Sequence, residues 1–464
     1  MPSEFSFLQD RTVAVMGLGK SGAAAVRALA AAGVTVLAWD DDAQTRRQAA
    51  GLGVRLEDLA AIDWSPVSLL LWSPGIAHRW PAPHKVAVAA RQAGVPLVCD
   101  IELLLRANGG ARVVGITGTN GKSTTTTLVG HLLQAGRAPI AIGGNLGVPA
   151  LDLPDFGADG IYVLELSSYQ LELLDRSRFD VAVLLNLSAD HLGRHGGMAG
   201  YVAAKASLFD RVRPGGVAVI GLDDEDSRGV HAILSQRNDI TLVAISAERL
   251  VAGGVSAPAG ILIDDSAGTN RSVVDLTAIP TLPGRHNWQN ACAAYAVARA
   301  VGMSVDAIAA ALPHYPGLAH RQERVAVIDG VTYVNDSKAT NADATARALV
   351  CYHSIYWIAG GQPKEGGISS LAPFLSRIRA AFLIGEAAPA FAATLAGRVA
   401  VEQCGTLDKA LGLARERALA ERLHDAVILL SPACASWDQF SSFEQRGNQF
   451  RRLVEALPGQ RSAA

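Results

Sequence analysis

Ten consecutive residues, Gly115-Ile116-Thr117-Gly118-Thr119-Asn120-Gly121-Lys122-Ser123-Thr124, have the types and spacing that phosphate chemistry needs. A glycine-rich turn lets successive backbone N–H groups converge on a phosphate, and a helix starting at its end adds partial positive charge. Lys122 can reach the terminal phosphate oxygens, while Ser123 or Thr124 offers a hydroxyl to the Mg²⁺ that travels with a nucleoside triphosphate. The usual spacing places a glycine five residues before the Gly-Lys pair, and here that position is Ile116. A second turn, Gly17-Leu18-Gly19-Lys20-Ser21-Gly22, is followed by an apolar run ending at Asp40. Taken alone this GxGxxG pattern suggests NAD. Its physics requires only a phosphate-bearing ligand on a helix N-terminus, with a carboxylate near a sugar.

These groups need strands and helices to aim them. Arg112-Val113-Val114 reads as the strand feeding the phosphate loop, with a helical run from Thr125 behind it. Thr12–Met16 reads as a buried strand, followed by an Ala-rich helix over 23–32 and a second strand over 34–39. A strand over 68–72 runs into Ser73-Pro74-Gly75-Ile76. The apolar run 161–164 delivers Glu165 to the carboxyl end of a sheet, where a carboxylate facing a phosphate loop can hold Mg²⁺. Gly143-Gly144-Asn145 is a further glycine turn, and the apolar strand 181–187 runs into Asn186-Leu187-Ser188-Ala189-Asp190-His191. Asn287 and Asn290, three apart before a helix over 291–301, can face one ligand edge. Residues 215–280 alternate short strands and turns and show no chemistry. Four later apolar runs, 331–334, 355–359, 381–384 and 426–430, each end in a polar loop. Ligands of open parallel sheets bind outside the carboxyl ends of the strands. Asp336, Lys338, Thr340, Lys364 and Ser436 are therefore expected to converge.

The whole pattern is α/β with three domains: a Rossmann-like domain over 1–108, a central P-loop ATPase-like, mostly parallel sheet over 109–317, and a Rossmann-like domain over 318–464. A chain of 464 residues, half of them hydrophobic, has ample material for several cores. A formal charge of −2 gives no footprint for nucleic acid or a membrane surface, so an anionic substrate must meet local Lys and Arg. Five scattered cysteines without a CxxC pair suit a reducing cytoplasm and argue against disulfides or a zinc site. No signal pattern or bilayer-length apolar run is expected.

The wording Thr117-Gly118-Thr119-Asn120-Gly121-Lys122-Ser123 resembles the ATP-binding signature of the Mur ligase family, which joins an amino acid or peptide to a carboxylate at the cost of ATP. The resemblance runs along nearly the whole chain, least specifically over 215–280. It implies ATP binding by Gly118 to Thr124, Asn287, Asn290, Arg321 and Asp336. It implies a uridine-nucleotide sugar on Gly17, Leu18, Gly19, Lys20, Ser21, Asp40, Ser73, Pro74, Gly75 and Asn145. Catalysis would fall to Lys122, Glu165, His191 and Lys205. Two Mg²⁺ ions would be held by Ser123, Glu165, His191 and Lys205, the last as N6-carboxylysine, as in the family's Tyr-x-x-Ala-Lys segment (here Tyr201 to Lys205). Asp336 to Asn341, Ser431 to Phe440 and Phe443 to Gly447 look like the family members that add D-glutamate, and the Asn-Pro-Arg motif of the diaminopimelate- or lysine-adding members is missing. Lys338, Thr340, Lys364, Ser436 and Phe443 would then surround the amino acid.

The implied partners are ATP, UDP-N-acetylmuramoyl-L-alanine and D-glutamate, met by a cytoplasmic monomer without nucleic acid or membrane. Substrates drawn from three domains imply that the third closes during turnover. Alternatives stay open at this level. L-glutamate carries the same charges as D-glutamate, and another amino-acid ligase of the same family would share the chemistry. A nicotinamide-dependent dehydrogenase would use Gly17 to Gly22 and Asp40 but leaves Lys122, Glu165 and Lys338 without a purpose. A non-catalytic nucleotide-binding protein would bind ATP without turnover.

Overall fold

The structure, a computed structural model, describes residues 5–136, 138–364 and 366–462. The chain divides into two compact units, Met1–Leu276 with Asn287–His314, and Thr277–His286 with Tyr315–Ala464.

Two sheets build the first unit. The N-terminal one is entirely parallel, in the spatial order Arg55–Leu56, Thr35–Trp39, Thr12–Met16, Val67–Trp72, Leu97–Val98. Its order reverses between Thr12–Met16 and Val67–Trp72, which is where an open α/β sheet leaves a crevice for a ligand. The helix Lys20–Ala31 starts in that crevice with Gly19 as its N-cap. The second sheet has nine strands. Arg112–Thr117 runs between Ile161–Glu165 and Phe179–Leu184. Ile140–Gly144 closes one edge, and Val212–Gly221, Thr241–Ser246 and Val255–Ser256 extend the other in parallel before two antiparallel strands, Ile261–Asp264 and Arg271–Asp275. The 215–280 region thus completes the sheet carrying the phosphate loop.

One apolar core runs from Val13 and Leu70 of the first sheet through Val113 and Leu164 to Ile220 of the second. Glu102 pins the same junction from the helix Asp100–Ala107. Its fully buried carboxylate accepts the N–H groups of Asp175, Arg176 and Ser177, the Ser177 hydroxyl and the Arg106 guanidinium. Burial pushes this carboxyl up, but the donors together outweigh it and hold its pKa below the usual value. Glu102→Ala would leave the N–H groups of Asp175, Arg176 and Ser177 without their acceptor, while Arg106 keeps Asp175 as a partner. It is expected to cost about 3 kcal/mol of stability in urea unfolding, a loss that Glu102→Gln recovers in part.

The second unit holds one seven-stranded sheet in the order Ala400–Gly405, Ile378–Ile384, Ser354–Gly360, Ala426–Leu430, Val331–Asn335, Glu323–Ile328, Arg461–Ser462. The first five are parallel, so the four apolar runs read from the sequence do end at one edge of the sheet. The last two pairings are antiparallel.

Candidate active site

The phosphate loop begins later than the motif spacing suggests. Ile116 is fully buried inside the strand Arg112–Thr117, so the turn proper opens at Gly118. Gly121, with φ +85°, caps the helix Lys122–Gln134. A side chain there would be strained by that conformation and would collide with the Asn290 side chain, since a Cβ would lie 2.2 Å from its Oδ1. Asn186 fixes the loop from the neighbouring strand end. Its carbonyl accepts the Thr119 N–H at 2.8 Å, and its side chain accepts the Asn120 N–H at 3.0 Å and donates to the Asn120 carbonyl at 3.2 Å. Gln289 holds Asn186 at 3.1 Å and donates to Asp223 at 2.9 Å. The region without sequence-level chemistry therefore buttresses the loop.

Lys122 Nζ donates to the carbonyls of Gly118 and Thr119, both at 2.9 Å, so its charge sits inside the turn it closes. Lys205, on the helix Met198–Ala206, reaches the same place from the other side, with Nζ 2.9 Å from the Gly118 carbonyl and 3.4 Å from the Thr117 hydroxyl. It is only 2% exposed and lies over the Tyr201 ring, whose hydroxyl is 3.0 Å from that of Thr119. Burial, then the nearby Lys122, drives its pKa well below the ordinary lysine value, against the pull of Asp190 and Glu165. Burial of this kind favours the neutral form of the amine.

Glu165 ends its strand with a buried carboxylate. Oε1 accepts from Asn145 at 2.9 Å, while Oε2 is buried without a hydrogen-bond partner among the described residues. An ionised oxygen left so would be costly, and a cation would satisfy it. Among the described residues no group of three or more His, Cys, Asp or Glu could hold a metal alone. The unmet Glu165 oxygen fits Mg²⁺, which takes one or two carboxylates and completes its shell with water and substrate phosphates. Ser123 is buried at the head of the loop helix. His191, in the left-handed region at φ 52°, is 3.5 Å from Asp190, with its pKa lowered mainly by burial.

Asn287 and Asn290 are buried and bonded to each other at 3.1 Å. They lie in the first two turns of the helix Arg285–Ala300, which begins directly after Gly284 at φ +80° and not at 291 as the sequence suggests. In the N-terminal crevice Gly17 has φ +90°, and a Cβ on Gly22 would lie 1.9 Å from the Gly17 carbonyl. Both glycines are thus demanded by the turn, while nothing lies within 4 Å of a Cβ placed on Gly19, which leaves that face open to a ligand. Asp40 is engaged with the turn, accepting the Leu18 N–H at 2.7 Å and the Asp42 N–H at 2.9 Å. Lys20 is exposed and Ser21 half-buried beside it. Across the crevice, the carbonyls of Pro74 and Gly75 accept from Arg194 at 3.3 and 3.0 Å, and Ser73 lies against Gly17.

In the second unit the strand-end loops are stitched together by Arg446, which is fully buried. It donates to the Ser337 hydroxyl and to the carbonyls of Ser337, Cys434 and Ala435. Desolvation lowers its pKa to about 10, so it stays charged. The Ala435 carbonyl also accepts the Gln362 N–H, and Asp438 accepts the Glu386 N–H. Lys338 Nζ lies 5.3 Å from the centre of the Phe443 ring. Ser436 is buried, Thr340 and Arg321 are half-buried, and Lys364 is exposed.

Asp336 accepts the Ser431 hydroxyl at 2.8 Å and the Gln322 N–H at 3.1 Å. Burial nevertheless pushes its carboxyl up to about 7, although Ser431, Gln322 and Arg321 all favour the carboxylate. The folded chain then binds this proton more tightly than the unfolded chain does. The stability it contributes is complete below pH 3.8 and is lost as pH rises to about 7. Asp336→Asn is expected to raise the thermal midpoint above that of wild type beyond neutral pH. The two should converge near about pH 4 in a melting series.

A family model described as the Mur ligase middle domain matches residues 116–298. The chain is 57% identical over 450 residues to the UDP-N-acetylmuramoylalanine–D-glutamate ligase of Paramagnetospirillum magneticum, covering 97% of each. It is 55% identical to the protein of the same name from Rhodospirillum rubrum, covering 97% of this chain and 95% of that one. Among solved structures it resembles the UDP-N-acetylmuramate-alanine ligase MurC of Thermotoga maritima, with a TM-score of 0.58 and 16% identity over 96% of this chain and 99% of that one. The last likeness concerns the fold alone.

Proposed function

The chain belongs to the Mur ligase family, and from that premise we propose that it joins D-glutamate to UDP-N-acetylmuramoyl-L-alanine at the expense of ATP. It is an ATP-dependent amide-forming ligase of peptidoglycan precursor synthesis. The observation that carries the reading is the phosphate loop, with Lys122 and the buried Lys205 meeting on the Gly118 carbonyl. A dehydrogenase would have no use for that pair.

The nucleotide-sugar sits on Gly17, Leu18, Gly19, Lys20 and Ser21, opposite Ser73, Pro74 and Gly75. Asp40 sets the turn, and Asn145 orients Glu165. ATP lies on Gly118 to Thr124, with Asn287 and Asn290 contributing. The alanyl carboxylate attacks the γ-phosphorus, ADP leaves, and an acyl phosphate forms. Lys122 moves from the loop carbonyls to the phosphate oxygens and stabilises the charge that develops there. The amine of D-glutamate, held by Lys338, Thr340, Lys364, Ser436 and the Phe443 ring, attacks the acyl carbon. A proton is lost, phosphate departs and the amide remains. No protein nucleophile is needed, so the chain works by positioning and electrostatics.

Glu165, Ser123 and His191 would hold Mg²⁺, which supplies charge neutralisation along the phosphates. The Lys205 amine, whose uncharged form burial favours, would add to CO₂, forming an N–C bond and releasing a proton, to give an anionic carbamate at that position. On this reading the protein works in the cytoplasm as a monomer, independently of membrane and nucleic acid. Among the described residues no helix is long and apolar enough to cross a membrane.

The acyl phosphate is tested with a heavy-oxygen-labelled alanyl carboxylate. Label in the released phosphate is expected, and its absence would remove the intermediate. Carbon-13 bicarbonate should give a carbamate resonance that is missing in Lys205→Met.

A further inference from the structure

One buried cluster in the first unit has no task in that scheme. Ser168 and His195 are 3% and 4% exposed. The Ser168 hydroxyl lies 2.9 Å from His195 Nε2, and His195 Nδ1 lies 3.0 Å from Glu172 Oε1. A carboxylate accepts, so Nδ1 donates to Glu172, and the serine hydroxyl, which can donate or accept, pairs with Nε2. Hydroxyl, imidazole and carboxylate stand in the order of a nucleophilic triad. Burial rules out that use, because no acyl group can approach the Ser168 oxygen.

The surroundings of the cluster show another use. The second Glu172 oxygen is 3.5 Å from Nε2 of buried His78, whose pKa burial lowers to about 4 and so keeps neutral. His78 closes the segment that begins at Ser73. Tyr169 stacks on His195 at 5.4 Å, and the Arg194 guanidinium lies 4.5 Å over the Tyr169 ring. From there Arg194 donates to the carbonyls of Pro74, Gly75 and Ile76. Three stretches meet here: the one after Glu165, the one after His191, and the 73–78 loop of the first sheet.

We propose that Glu172, His195 and Ser168 form a positioning relay that holds Arg194 and the 73–78 loop in register with the strand end carrying Glu165. The relay would set nucleotide-sugar affinity without touching the ligand. It rests on the assignment of Ser73, Pro74 and Gly75 to the nucleotide-sugar site. A carboxylate and a hydroxyl on the two nitrogens of one buried ring leave it a single orientation, and Arg194 is its chain neighbour. Losing such an orienting partner typically costs about ten-fold or more in what it orients.

The test is calorimetric binding of UDP-N-acetylmuramoyl-L-alanine to the full chain without metal or ATP. His195→Phe keeps the ring stack and removes both hydrogen bonds. A rise in Kd of about ten-fold is expected, with affinity for a non-hydrolysable ATP analogue unchanged. His195→Gln, which can both donate and accept, should recover most of the loss, which simple loosening of the fold would not allow. Unchanged nucleotide-sugar affinity in folded His195→Phe overturns the relay. If that variant does not fold, Arg194→Met removes the clamp and leaves the cluster intact, and unchanged affinity there has the same meaning. A wild-type chain that does not bind the nucleotide-sugar would instead overturn the site assignment, and the relay with it.

Discussion

Lys122→Ala is expected to lower kcat by about a thousand-fold, the scale set by losing one preorganised donor at the point where transition-state charge develops. The lysine is spent on two loop carbonyls before substrate arrives, so its removal takes little from the fold. The helix Lys122–Gln134 is capped by Gly121 and keeps Thr125 N–H bonded to the Gly121 carbonyl in either case. Circular dichroism should match wild type while steady-state phosphate release collapses. Lys122→Arg is expected to restore only a small part, because a planar fork does not replace a compact charge enclosed in a turn. A variant with near wild-type turnover would move the phosphate site elsewhere.

Lys205→Met separates chemistry from stability in the opposite direction. Its amine is buried against Thr117, Gly118 and the Tyr201 ring, and burial disfavours its charged form. A thioether chain of similar length removes that desolvation, so stability at neutral pH should be equal to or above wild type. Activity should nevertheless fall by about a hundred-fold or more, since an oxygen ligand or orienting group is gone. A scaffolding lysine would give the reverse, reduced stability with activity retained in the folded fraction. Thermal melts and turnover on one preparation distinguish the two.

The sequence exposes the parts of this site that obey local rules. Strand, glycine turn and helix are local, so the loop at Gly118 to Thr124 and the crevice at Gly17 to Gly22 are legible from spacing alone. Glu165 is legible because an apolar run ends on it. The strand-end loops of the second unit follow from four runs of one design, and the observed parallel order puts them on one edge. Partners made by long-range contact are not legible. Asn186 reads as one residue of a polar loop until the sheet sets it beside Thr119 and Asn120. Asp223 reads as a turn residue, yet it holds Gln289, which holds Asn186. Arg446 lies in a recognisable motif, but its bonds to Ser337 depend on a loop more than a hundred residues away. Ser168, Glu172 and His195 have no spacing that announces them. The start of the helix at Arg285 is also not legible, since its apolar run shows only from 291, whereas the helix begins directly after Gly284.

The central claim is the identity of the bond formed, and it is tested most directly by following phosphate release from purified protein with ATP, Mg²⁺ and UDP-N-acetylmuramoyl-L-alanine, comparing D-glutamate with L-glutamate. Release that depends on the nucleotide-sugar and on the D enantiomer is the predicted result. Release with L-glutamate alone, or none with either enantiomer, would contradict it.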